Sequence, residues 1–284
     1  MVNSINFSDT KNRTEQIRMA ATASLIAAAS GHLTLKIAVP QIEKRIRGDF
    51  AKKFTLTEPE QDLLIKEGQK IIDESKLARF GCKIKLVNED TVCKNPKIQK
   101  SLESVKKASN AFYMTKERTV YINKKFLTPI FHELGHAQDH KKGTLTRLAK
   151  IYKLTGNKKI YYGLPLLAIF TSKKKNADGK ELSTQDKAFN IIRESAGVIG
   201  ALGQLPMLIE EKLASKNGYK MAKEANLEEK LLKLIKKTHT TGFNGYLRQV
   251  LYYVIVATAA IKAKDYWHDK LPEIKDKYFS KSAK

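Results

Sequence analysis

The segment Thr128-Pro129-Ile130-Phe131-His132-Glu133-Leu134-Gly135-His136 sets two imidazoles four residues apart, with a carboxylate directly after the first. On a helix, side chains four apart project from one face a single turn apart, so His132 and His136 can share one tetrahedral metal. Glu133 then lies at the edge of that face. There it reaches water at the metal without being a ligand, takes its proton, and later passes it to a leaving amine. The chemistry that this arrangement predicts is metal-assisted hydrolysis.

Such a site needs a helix, and the local sequence supplies one. Thr128 is placed to cap it, and Pro129 in the first turn has no amide to leave unsatisfied. Phe131, Leu134, Gly135 and Ala137 are uncharged, so the helix can be buried with only its metal-binding face polar. His140, Lys141, Lys142 and Gly143 form an ending, cations at the negative end of the dipole followed by a glycine. Upstream, Cys82-Lys83-Ile84-Lys85-Leu86 alternates in the manner of a strand. Two more β-prone runs, 110–114 and 119–123, flank the polar tetrad Thr115-Lys116-Glu117-Arg118 and read as a hairpin leading into the motif helix.

A strand holding Asn110-Ala111-Phe112, a second strand, and then a helix bearing His-Glu-Leu-Gly-His-Ala together resemble the core of gluzincin metallopeptidases. The pattern is most similar to the membrane-associated zinc proteases of the CAAX-processing and heat-shock types. It covers residues 110–140 well and 205–220 more loosely, and leaves the first hundred residues outside. The resemblance implies Zn2+ as cofactor, a protein or peptide as substrate, and an endopeptidase whose general base is Glu133. An extended substrate would add as a strand along the edge near Phe112 to Met114.

Zincins take a third protein ligand and leave the fourth position to water. The metzincin solution requires a glycine three residues after His136 and a histidine three beyond that, but Asp139 and Lys142 stand there. His140 continues the four-residue spacing, yet lies about 12 Å along the helix from His132, too far to share an ion held at about 2 Å. A role at the helix end or behind the ligands suits His140 and Asp139 better. The gluzincin solution is a glutamate on a later helix, with a small residue three positions on. Glu211, in Leu208-Ile209-Glu210-Glu211-Lys212-Leu213-Ala214-Ser215, matches that E-x-x-A pattern and is preferred. Glu194 is the second choice, in an apolar stretch where an unpaired charge is costly, and Glu210 ranks behind both. For the donor that stabilises an oxyanion, His239 is chosen on side-chain type ahead of Tyr219 and Tyr246.

The rest of the chain constrains the setting. Its 284 residues are 42% apolar, enough for one sizeable core or two small domains. The net charge is +24, from 53 Lys plus Arg against 29 Asp plus Glu. That charge suits phosphate, an anionic membrane surface, or plain solvation in a lysine-rich chain. Lysines are spread over nearly every segment, and no zinc finger, RNA-recognition signature or basic-region heptad is present, so nucleic acid is not an expected partner. Two cysteines, Cys82 and Cys93, are too few for a disulfide framework or a cysteine-built zinc site. Two apolar runs, 19–35 and 249–261, bear on membrane association. As helices they measure roughly 25 Å and 20 Å, both short of the ~30 Å hydrocarbon layer.

The expected fold is α+β, a mostly helical zincin-like domain with a small mixed or antiparallel sheet beside the motif helix. Residues 1–78 read as an N-terminal helical region with a membrane-associated character, with helices over 13–47 and 60–77; residues 79–284 read as the zincin-like domain. From residue 145 onward helices dominate, interrupted by a polar loop at 173–181 and by Gly242-Phe243-Asn244-Gly245. A non-catalytic, membrane-associated protein that keeps a structural zinc is the alternative reading.

Overall fold

A computed structural model describes residues 56–278, apart from 94–95, 108–109, 156–157, 172 and 177–180. The expected helix over 13–47 and the apolar run 19–35 lie outside the described residues. The structure is mostly helical with one small mixed sheet, an α+β architecture. The described chain divides into two compact units, each assembled from separated stretches: 56–152 with 205–248, and 153–204 with 249–278. The boundary expected near residue 78 falls inside the first of these. The helix before it packs on the motif helix and so belongs with the site.

The unit that carries the motif opens with α1 (Glu58–Glu74) and α2 (Lys76–Phe80). Thr57 and Glu60 close a capping box at the start of α1, each side chain bonded to the other's backbone amide. Leu64, Gly68 and Ile72 form its buried stripe at helical spacing. Gly81, at φ +79°, lets the chain leave α2 and turn into β1 (Lys83–Leu86). After α3 (Pro96–Lys106) come β2 (Phe112–Met114) and β3 (Thr119–Ile122). β3 is central, parallel to β1 and antiparallel to β2, with Tyr113 opposite Val120. The hairpin is therefore present and β2 is an edge strand. β3 is buried along its whole length, between a core that includes Leu64, Ile130 and Leu134 on one side and Leu102 and Val105 of α3 on the other.

The motif helix, α4 (Ile130–Lys141), differs from expectation at its start. Thr128 makes no capping bond; Pro129 is the cap residue, with α-region dihedrals and no side-chain hydrogen bond. Thr128 is buried instead, so packing prevails over local capping there. The end is as anticipated: Gly143, at φ +76°, stops α4, and α5 (Thr144–Thr155) follows at once. Two further helices complete this unit, α9 (Leu205–Glu224) and the first part of α10 (Glu229–Tyr278). Gly242-Phe243-Asn244-Gly245 is not a loop but lies within α10. Each glycine costs about 1 kcal/mol relative to alanine in a helix, and here the surrounding helix overrides that penalty.

In the other unit α6 (Lys158–Phe170), α7 (Thr184–Glu194) and α8 (Ala196–Leu202) accompany the later part of α10. Arg193 is buried, and its guanidinium donates two bonds to Asp265, at 2.7 and 2.6 Å. Lys264 is fully buried and donates to the Thr171 carbonyl at 2.6 Å. No helix among the described residues is long and apolar enough to cross a membrane, and that includes the run 249–261.

Candidate metal centre

Two helices far apart in sequence meet at glycines. A Cβ on Gly135 of α4 would collide with the Ala214 carbonyl of α9, and one on Gly218 of α9 with the Phe131 carbonyl of α4. Backbone cannot yield as a flexible side chain can, so both positions demand glycine, and Ala214 is the small residue that the crossing requires. This contact brings the histidine face of α4 against Glu211. His132 Nε2 stands 3.2 Å from Glu211 Oε2 and 3.2 Å from His136 Nε2, while His136 Nε2 is 3.9 Å from the same carboxylate oxygen.

Those separations test whether a metal ion fits. A tetrahedral ion held at about 2.0–2.1 Å sets its ligands about 3.3 Å apart, and the three distances straddle that value. Two imidazole nitrogens and a carboxylate oxygen, each with a lone pair to offer when the imidazoles are unprotonated, converge within 3.9 Å of one another. His132, His136 and Glu211 could therefore hold a metal ion, and no fourth His, Cys, Asp or Glu joins the group among the described residues.

The groups behind these ligands orient them. Ser215, one turn after Glu211, lies 3.1 Å from His132 Nδ1; with Nε2 turned to the other ligands, Nδ1–H is the donor and the hydroxyl accepts. Glu210 Oε1 lies 3.6 Å from His136 Nδ1. Tyr246 donates its hydroxyl to Glu211. Asp139, buried, accepts from Asn217 at 2.7 Å and ties α4 to α9. His140 points elsewhere: its Nδ1 is 3.0 Å from the Tyr113 hydroxyl and its ring meets Phe80 edge-on. Both therefore stay outside the ligand set, as the helix geometry requires.

Electrostatics separate the acidic groups. Burial pushes the Glu133 carboxyl up to about 7, and the Glu211 charge adds to the rise, against His132 and the amide N–H of Tyr113, which favour the carboxylate. Burial, then Glu211, also raises Glu210 to about 7. Glu211 goes the other way. Burial works to raise it, but the hydrogen bond from His132, the charges of His136 and His132, and the hydrogen bond from Tyr246 hold it below the usual glutamate range. Burial and the neighbouring His132 lower His136 to about 4, so it is neutral near pH 7 and has a lone pair that could ligate a metal. A bound dication would shift every one of these groups further toward its ligating form.

Of the residues singled out in the sequence, His132, Glu133, His136, Glu210, Glu211, Tyr246 and His239 come together. Glu194 does not: it is half exposed and ion-paired with Lys173 at 2.6 Å, while its neighbour Arg193 is the buried member of the pair. His239 is buried, its ring centroid 5.3 Å from that of His132. Its Nδ1 lies 3.3 Å from the Ser215 carbonyl, which can only accept, so Nδ1 carries the proton and Nε2 the lone pair. Sequence reasoning missed Ser215, although its spacing of four from Glu211 is the signal that would have found it. Comparison with models of protein families, with curated proteins and with solved structures finds no match for this chain.

Proposed function

We propose that the protein is a zinc-dependent endopeptidase of gluzincin type. The observation that carries this reading is the convergence of His132, His136 and Glu211, with the buried Glu133 one residue along the same helix. Two imidazoles and one carboxylate suit zinc, and three protein ligands are the number that catalytic zinc sites use. Zinc bound there would supply a Lewis acid and acidify water near neutral pH. Glu133 accepts the proton and returns it to the leaving amine, a task that suits a carboxyl desolvated by its surroundings. His239, with its lone pair on Nε2, has no proton to give while neutral. Tyr246, whose hydroxyl meets Glu211, retains a proton near pH 7 and would serve as the donor for negative charge developing on the substrate oxygen if its hydroxyl turned from that carboxylate. An extended substrate would pair along β2, whose Tyr113 amide donates to Glu133 and so brings the strand against the catalytic carboxylate.

The test is hydrolysis of casein or a peptide library by the full chain. Activity should vanish on chelation and return with one equivalent of zinc per chain. Hydrolysis that persists after chelation, or a metal-replete preparation without stoichiometric zinc, refutes the proposal. A purely structural zinc would call for a fourth protein ligand, whereas the group that converges among the described residues is His132, His136 and Glu211.

An anionic membrane surface belongs to the same proposal. Leu251 and Ile255, one turn apart on α10, and Leu167 and Phe170 on α6 are exposed, in a chain of net charge +24. The untagged protein should sediment with vesicles containing phosphatidylserine at low salt and be released at high salt. Protein left wholly in the supernatant at low salt counts against it.

A further inference from the structure

Beside the ligands, between α9 and α10, lies a cavity of about 380 Å3 whose lining is one-sided in charge. Lys212, Lys216 and Lys236 line it together with the rings of Tyr219 and Phe243, and no acidic residue does. The contrast is with a second cavity of about 260 Å3, where Glu67, Glu74 and Glu224 balance Lys70 and Lys220. Nearby lysines find carboxylates, Lys220 with Glu224 and Lys233 with Glu229. Lys212, Lys216 and Lys236 find none among the described residues; Lys212 rests over the Phe243 ring at 5.2 Å. Three uncompensated ammonium groups around one concavity raise the local concentration of anions.

A second observation defines what accompanies the anion. His239 also lines the cavity, is 5% exposed, and its Nε2 has no hydrogen-bond partner. Because Nδ1 is committed to the Ser215 carbonyl, Nε2 is an acceptor that lacks a donor. A buried polar atom left in that state is costly unless a ligand completes it. An amide N–H is a donor that a peptide carries, and a carboxylate is what the lysines lack. Ser215 lines the same cavity while its hydroxyl holds His132, so the wall of the cavity is also the support of a metal ligand.

We propose that this cavity is a substrate subsite for a peptide residue bearing a carboxylate, either an acidic side chain or the chain terminus, selected by Lys212, Lys216 and Lys236 with His239 accepting a substrate amide. The proposal rests on the peptidase reading for its placement beside the reacting bond, but its recognition chemistry can be measured without turnover. The experiment uses the full chain carrying Glu133→Gln, loaded with zinc, and fluorescein-labelled hexapeptides that differ only in Glu against Gln, or in a free against an amidated C-terminus. Anisotropy should give about tenfold tighter binding for one acidic member over its neutral counterpart. The pair that shows the difference identifies side chain or terminus. Lys212→Glu combined with Lys236→Glu changes two exposed residues, leaves the core intact, and should abolish or invert the preference. Equal binding of acidic and neutral peptides, or a preference that survives the double charge reversal, overturns the subsite. Turnover of the same peptides by the wild type separates the two readings. Acid-selective binding without cleavage keeps the subsite and removes the peptidase, whereas cleavage without acid preference does the reverse.

Discussion

Glu133→Gln should keep a full complement of zinc and lose ~10²–10⁴-fold in peptide hydrolysis. The side chain is buried at the metal-facing edge of α4, where glutamine has the same length and one of the same acceptor oxygens. The Tyr113 amide can still donate to that oxygen, so β2 keeps its place. What glutamine lacks is the capacity to accept a proton near neutral pH. Because none of His132, His136 and Glu211 is altered, metal content and melting temperature should match the wild type. Zinc analysis and a hydrolysis assay on the same preparation check both halves of the expectation. Unchanged turnover would mean that another group handles the proton, with Glu210, a second carboxyl raised to about 7, the one to examine first.

The second large effect separates two glutamates. Glu211→Ala should lose the metal, with affinity falling more than ~100-fold, since even supporting residues behind a ligand cost ten- to a hundredfold when removed. Glu194→Ala should bind as the wild type does, because its carboxylate is half exposed and its partner Lys173 is a surface lysine. Surface ion pairs of that kind contribute at most ~1 kcal/mol. Titration of each apoprotein with zinc against a competing chelator measures the difference. Loss of metal in Glu194→Ala with retention in Glu211→Ala would overturn the ligand assignment while leaving the two histidines in place.

Why Glu211 could be chosen from sequence, and Glu194 only displaced by the structure, is a matter of range. The pairing of His132 with His136 is local, a consequence of 3.6 residues per turn, and so are the alternation at 82–86 and the β-prone run at 119–123. The third ligand is not local. Its choice leaned on a resemblance and on a small residue at 214, whose physical reason became visible only when Ala214 was seen against Gly135. Apolar residues surround Glu194 in sequence, but Ile191 and Ile192 beside it are themselves exposed on α7, so these neighbours do not bury it. Thr128 and the glycines at 242 and 245 failed for a related reason. Capping and helix-breaking preferences amount to about 1 kcal/mol, and tertiary burial exceeds that. Residues whose role depends on two elements at once, such as Ser215 between His132 and His239, have no signature along the chain beyond their spacing from a known neighbour.

The crossing of α4 and α9 at Gly135 and Gly218 has a consequence for the order in which the centre comes into being. Synthesis delivers His132, Glu133 and His136 first, and the whole of 142–204 must follow before Glu211 exists to meet them. Until α9 has emerged and docked, the nascent chain presents two histidines and an exposed seam of backbone, but no complete binding set. Capture of a metal by this group would therefore be a late event, tied to closure of a long loop and not to formation of the motif helix. In the peptidase reading, the chain has no assembled catalytic centre while its own unfolded segments are still within reach.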